Sequence, residues 1–278
     1  MNARYPNFIV IGAMKCGTST LHTQLARQPN VEMSTLKEPN FFSNDEQWAR
    51  GQDWYLKQFE NANEAALVGE SSTHYTKLPT YPKTIERLHS TLGNDLKFVY
   101  IIRDPIERLI SHYIHEWTMG MMSEPLNEAI DKYPELIAYS CYGMQIKPYV
   151  ETFGPDNILI TSFEFMTHDP QAFLAEIGMF LGSQISWTWD DSIEAQNVSK
   201  DRLRETPLLK SIKSSPTLTW LRRTLLSDGI RAKLKQRYQM RERPSFNIQQ
   251  KKILLRCFNE DLKKIKSIYD SDRFRISS

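Results

Sequence analysis

The stretch Phe8–Leu25, FIVIGAMKCGTSTLHTQL, decides the fold. Its first six residues are an apolar run of strand type. Gly12 and Gly17 then bracket a short turn, and TSTLHTQL continues in helical style. Glycines let a backbone turn tightly and aim N–H groups at an oxyanion. A helix starting near Thr18 adds the positive end of its dipole, and Thr18, Ser19 and Thr20 add hydroxyl donors. The segment therefore predicts a strand, an anion cradle and a helix. A magnesium-dependent nucleotide loop of the form GxxxxGK[ST] carries its lysine directly after the second glycine. Here that place holds Thr18, and the loop's positive charge sits at Lys15. No second apolar strand ends in an aspartate suited to magnesium, so the expected ligand carries fewer charges than a triphosphate and needs no metal.

Working outward, apolar runs alternate with amphipathic segments. The runs are FIVIGA, a short VEM at Val31–Met33, ALVGE at Ala66–Glu70, KFVYIIR at Lys97–Arg103 and NILITSFE at Asn157–Glu164. Continuous apolar strands with helices between them predict an α/β fold, a central parallel sheet flanked by helices on both faces. Helices are expected over Thr18–Arg27, over Pro105–Glu116 with Asp104 as N-cap and Glu107 completing a capping box, and over Asp169–Gly182. Near the C-terminus, Ile253, Leu254, Cys257, Phe258, Leu262, Ile265 and Ile268 recur with a helical period. One domain is expected across 1–278, with a core over about 6–182 and a basic helical C-terminal region over about 200–278.

The 278 residues are enough for a well-buried α/β core. No apolar run reaches the roughly 18 residues of a membrane span. The N-terminus does not read as a secretory signal, and three scattered cysteines make neither a disulfide framework nor a zinc site. A cytoplasmic location is the resulting expectation. The net charge of +2 conceals an asymmetry: from Lys200 onward there are 21 Lys and Arg against 8 Asp and Glu. That excess is either a set of solvated helix faces or a positive potential offered to an anionic ligand.

A second motif is FVYIIRDPIERLISHYIHEW. Arg103 follows an apolar strand, where ligands bind in open α/β sheets. Ser111 lies eight residues on, in the expected helix. A guanidinium and a hydroxyl converging on one phosphate is sound anion chemistry. The alternatives are a salt bridge for Arg103 and an ordinary helix serine for Ser111.

Taken together, these motifs resemble the phosphosulfate loop and the 3′-phosphate motif of sulfotransferases that use 3′-phosphoadenosine 5′-phosphosulfate (PAPS). The similarity is greatest to the heparan sulfate branch and its bacterial relatives; the RKG signature of the phenol and steroid branch is absent. KEPNFF, GQDWYLKQF, VGESSTHY and NILITSFEFMTHDPQAFLAEIGMFLG also resemble that family in order, over about residues 6–182. The resemblance implies a P-loop-like fold, PAPS as donor, and sulfuryl transfer to a hydroxyl or amine of a glycan, or of a small-molecule or lipid acceptor. It implies that Lys15, Gly17, Thr18, Ser19 and Thr20 hold the 5′-phosphosulfate, that Arg103 and Ser111 hold the 3′-phosphate, and that Glu38 is the base. Lys200 and Arg202 are the nearest candidates for a loop closing over the nucleotide. The family usually has a lysine where this chain has Ser71.

Without the resemblance, Glu38 reads as a surface partner of Lys37. His74 is the rival base, ahead of His112 and His115. Trp48, Trp54 and Tyr55 are candidates to line an acceptor cleft, or else core aromatics. Two other functional classes remain. A P-loop kinase would need a nucleoside triphosphate and magnesium. A non-catalytic polyanion-binding protein would bind with strong salt dependence. No aromatic-basic nucleic-acid motif is present, so no nucleic-acid partner is expected. Oligomeric state is unreadable.

Overall fold

β1 (Phe8–Gly12) is buried at every position, which requires cover on both faces of the sheet around it. The computed structural model describes residues 4–62, 67–193, 240 and 242–266, without the side chains of 265 and 266. α1 (Thr18–Leu25) follows β1, then β2 (Val31–Met33), the short helices α2 (Asp45–Trp48) and α3 (Gln52–Leu56), and β3 (Leu67–Ser71). α4 (Thr84–Leu92) leads to β4 (Lys97–Ile102) and α5 (Pro105–Thr118). α6 (Leu126–Lys132), α7 (Glu135–Ala138) and α8 (Tyr142–Phe153) precede β5 (Ile158–Ser162), α9 (Phe163–His168) and α10 (Pro170–Leu181). The last described helix is α11 (Ile248–Lys266).

The strands form one parallel sheet in the order β2-β3-β1-β4-β5. After β1 the chain moves toward β2 and β3, whereas after β4 it moves outward to β5. The loops leaving these two neighbouring strands therefore diverge, and a crevice opens at their carboxyl ends. Both motifs singled out in the sequence follow those strands. Gly69 lets β3 lie close to β1: a Cβ there would sit 2.1 Å from the Phe8 ring. On β4, Phe98 packs edge-on against Tyr149 of α8, with ring centroids 5.1 Å apart. Leu21, Leu25, Phe173, Leu174 and Ile177 from α1 and α10 join the same core.

A second apolar cluster joins α5, α6, α7 and α11 through Leu109, Ile110, Leu126, Leu136, Leu254 and Phe258. α11 is fastened to α8 by a cap distant in sequence. Asp261 accepts from the backbone N–H of Gly143 at 2.6 Å and of Met144 at 3.0 Å, satisfying two donors in the first turn of α8.

Three local expectations change. Phe163 and Glu164 open α9 instead of extending β5, because the Ser162 side chain accepts from the Phe165 N–H and caps the helix. The apolar stripe of α11 is narrower than its sequence period: Leu254, Phe258 and Leu262 are buried, while Ile253 is 62% exposed and Cys257 is exposed. Asp104 does cap α5, accepting from the Glu107 N–H at 2.9 Å. The Glu107 carboxylate is drawn to Arg103 and Arg243, so it does not close a capping box.

Candidate active site

The crevice is a cleft of ≈ 840 Å³, within the range of small-molecule sites. One wall is the turn after β1. Gly12 is required there, since a Cβ would lie 2.2 Å from the Thr76 hydroxyl, which donates to the Ile11 carbonyl at 2.7 Å. The turn is tied to β4 by the Ala13 N–H, which donates to the Ile101 carbonyl at 2.8 Å. Lys15 holds φ at +73°, a left-handed conformation that costs a lysine free energy. Gly17 has φ +85° and starts α1 without a side-chain cap. The first-turn N–H groups of α1 thus have no acceptor within their helix and stand at its positive end. Lys15, Gly17, Thr18, Ser19 and Thr20 all line the cleft.

Arg103 and Ser111 line the same cleft, from the end of β4 and the second turn of α5. The Arg103 guanidinium lies 4.7 Å over the Phe163 ring, is 3.8 Å from the Glu107 carboxylate, and makes a 3.5 Å contact to the Lys15 carbonyl. It therefore stands between the cradle and α5. Arg243, from the segment before α11, also reaches the cleft and pairs with Glu107 at 2.5 Å. Sequence reasoning missed Arg243 because nothing local marks it; only the packing of α11 brings it there. Lys200 and Arg202 lie outside the described residues.

Glu38 faces the cradle from the segment after β2. Its two carboxylate oxygens accept from the Lys37 ammonium at 3.0 Å and the Thr73 hydroxyl at 3.1 Å. Burial pushes the carboxyl's pKa up, but Lys37, Lys77 and the Thr73 bond outweigh burial and hold it below its ordinary value. Glu38 is therefore both the partner of Lys37 and a lining residue of the cleft. Glu38 and Asn40 hold φ at +59° and +52°. Such strain persists only where the surroundings enforce it.

Lys77 is nearly buried. Among the described residues its ammonium has the Tyr139 ring at 5.7 Å and no carboxylate within ion-pair distance. Burial lowers its pKa to about 8, although Glu38 and Glu116 oppose the shift. At Ser71, where the resembling family has a lysine, the hydroxyl meets Nδ1 of His22 at 3.0 Å. Burial lowers His22 to about 4, so this contact is neutral at pH 7. Positive charge reaches Glu38 through Lys37 and Lys77 instead.

His74 lines the cleft. Burial lowers it to about 4, its ring stacks on Tyr81 with centroids 4.8 Å apart, and its buried Nδ1 has no hydrogen-bond partner among the described residues. His112 is buried on α5, its Nε2 3.5 Å from Glu116, while His115 reaches the cleft. Trp48, Trp54 and Tyr55 take the core alternative and do not line the cleft. Tyr55 is fully buried, stacks on Phe41 and donates to Glu70 at 2.8 Å. Trp48 and Trp54 pack around Phe41 as part of the core, and the Arg50 guanidinium covers the Trp54 ring at 4.0 Å. The DWYL helix presents its aromatics to the sheet. Trp189 and Phe163 line the cleft instead.

The sulfotransferase domain model matches residues 5–266. The chain belongs to the sulfotransferase family. The solved structure of a sulfotransferase from Alicyclobacillus acidocaldarius shares its fold, with a TM-score of 0.61 and 26% identity over 83% of this chain and 96% of that one. The membrane-associated sulfotransferase kil1 of Dictyostelium discoideum is 36% identical over 45% of this chain and 26% of its own length. The mouse heparan sulfate glucosamine 3-O-sulfotransferase 3A1 is 28% identical over 64% of this chain and 46% of its own. The chain thus spans a quarter to a half of these curated sulfotransferases. Among the described residues, no helix is long and apolar enough to cross a membrane.

Proposed function

We propose that this sulfotransferase moves a sulfuryl group from PAPS to a carbohydrate hydroxyl or amine. The observation that carries the reading is the facing arrangement in one cleft. The cradle of Lys15 and the α1 N-terminus adjoins Arg103 and Ser111, and an ionised Glu38 stands on the same cleft wall as Lys37 and Lys77.

The donor set suits the nucleotide. Two groups of donors line the cleft and support this reading, one of backbone N–H groups, hydroxyls and Lys15, the other of Arg103 with Ser111 and Arg243 beside it. They correspond to a 5′-phosphosulfate and a 3′-phosphate. When bound, PAPS supplies the sulfuryl group and leaves as the 3′,5′-bisphosphate (PAP).

Lys15 and the α1 N-terminus neutralise charge that grows on the 5′-phosphate side. They are held in place beforehand, so little reorganisation is needed as the charge develops. A Glu38 oxygen takes the proton of the attacking hydroxyl or amine. Lys37 and Thr73 orient one oxygen each and keep the group ionised at neutral pH, at some cost in basicity. Phe163, Met166 and Trp189 narrow the cleft with apolar surface.

A carbohydrate acceptor is supported by the similarity to the heparan sulfate enzyme. The test is incubation with radiolabelled PAPS and a panel of glycans, lipids and phenols, with mass detection of an added sulfate. Labelling of a glycan is the expected result. Labelling only of lipids or phenols would overturn the acceptor class. No heat with PAP in calorimetry, together with tight binding of ATP and magnesium, would overturn the donor.

A further inference from the structure

Glu70 is a fully buried carboxylate that the reaction described above does not use. It sits near the end of β3 and accepts three hydroxyl hydrogen bonds. Tyr55 and Tyr75 donate to Oε1 at 2.8 and 3.0 Å, and Ser72 donates to Oε2 at 3.0 Å. Two of these hydroxyls also accept. The Asn40 N–H donates to Ser72 Oγ at 3.1 Å, and the Phe42 N–H donates to the Tyr75 oxygen at 3.4 Å. Just before them in the chain, the Glu38 N–H donates directly to the Ser71 carbonyl at 2.9 Å.

The polarity of this chain is imposed from its inner end. An ionised carboxylate only accepts. It therefore claims the hydrogens of Ser72 and Tyr75 and turns their lone pairs toward the backbone of the 38–42 segment. That segment contains the two strained residues, Glu38 and Asn40. A left-handed φ costs free energy, less at an asparagine than at a glutamate, and must be offset by the surroundings. Burial pushes the Glu70 carboxyl up to about 7 while the three donors oppose the shift and favour the charged form, so the accept-only state prevails above pH 7, where the variants are compared.

The geometry points to Glu70 as a positioning residue for Glu38: through Ser72 and Tyr75 it orients the hydroxyls that hold the 38–42 segment in its strained form. It acts on the base without touching acceptor or nucleotide. The inference rests on the reading of Glu38 as the base.

Glu70→Gln tests it. An amide places N–H donors where an acceptor stood, so at least one hydroxyl loses its acceptor whichever way the amide turns. Ser72→Ala removes the acceptor for the Asn40 N–H alone and guards against a misfolded first variant. PAP calorimetry should give Kd values within about twofold of the parent, because the nucleotide centres lie outside this network. Amide exchange should quicken at Asn40 and Phe42 but not across 13–20.

With radiolabelled PAPS and heparan sulfate, kcat should fall roughly ten- to a hundredfold in Glu70→Gln, as for a misplaced catalytic group. In Ser72→Ala it should fall about fivefold, the worth of one hydrogen bond. Both losses should vanish in a Glu38→Gln background. Unchanged exchange in both variants overturns the tether, whatever acceptor the enzyme takes. The same fold-loss of kcat with and without Glu38 overturns its action through the base. Full turnover by Glu38→Gln alone would instead remove the base reading and the catalytic half of the inference with it.

Discussion

Arg103→Ala tests whether the two proposed anion centres act separately. The Arg103 side chain is 21% exposed, its nearest carboxylate is 3.8 Å away, and its guanidinium is braced by the Phe163 ring. That carboxylate, Glu107, is shared with Arg243 and stands beyond hydrogen-bonding distance, so the Arg103 fork is not consumed by it. A hydrogen bond to a charged partner contributes about 1.5–3 kcal/mol. Losing one should raise the Kd for PAP by about 10- to 150-fold. Adenosine 5′-phosphate lacks the 3′-phosphate, so its Kd should change by no more than about threefold if distant contacts behave independently. The assay is isothermal titration calorimetry of the parent and the variant with both nucleotides at fixed ionic strength. An equal loss for the two nucleotides would refute the assignment. It would mean that Arg103 acts on the cradle through the Lys15 carbonyl, 3.5 Å away. No loss for PAP would refute it outright.

Glu38→Gln should slow transfer by about 10²–10⁴-fold, the worth of general-base help, with PAP affinity kept; radiolabelled turnover and calorimetry read the two effects separately. Lys77→Met should raise the melting temperature at pH 7. Burial lowers the lysine to about 8 from an ordinary value of 10.5, so the folded form carries a disfavoured charge below pH 8. Between those values the unfolded chain binds the extra proton and stability rises with pH, so the gain from Lys77→Met should shrink across that window in thermal melts. Asp261→Ala should cost about 1–2 kcal/mol in urea unfolding, because two first-turn N–H groups of α8 lose their cap. An unchanged midpoint would show that packing of α11, not the cap, fastens it.

Features that depend only on neighbours along the chain were legible before any fold was known. The turn from Gly12 to Gly17, its lysine and the hydroxyls opening α1 are contiguous. Their chemistry follows from backbone freedom and helix polarity alone. Arg103 was legible for a similar reason: an apolar strand followed by Asp-Pro announces both the strand end and the helix start. The parallel sheet was legible in the unbroken apolar runs. Tertiary structure decided everything that needed two distant segments to meet. The pattern around Trp54 and Tyr55 does not say which face of a short helix meets the sheet, and packing sends Tyr55 to Glu70 instead of to the cleft. Arg243 reaches the cleft only because α11 packs on α5 and α8. The charge state of Glu38 depends on Lys77, 39 residues away in sequence and near in space only because β3 lies beside β2. Hydrogen-bond polarity and pKa are set by the groups within a few ångströms, and the chain brings those groups together only after the sheet order is settled.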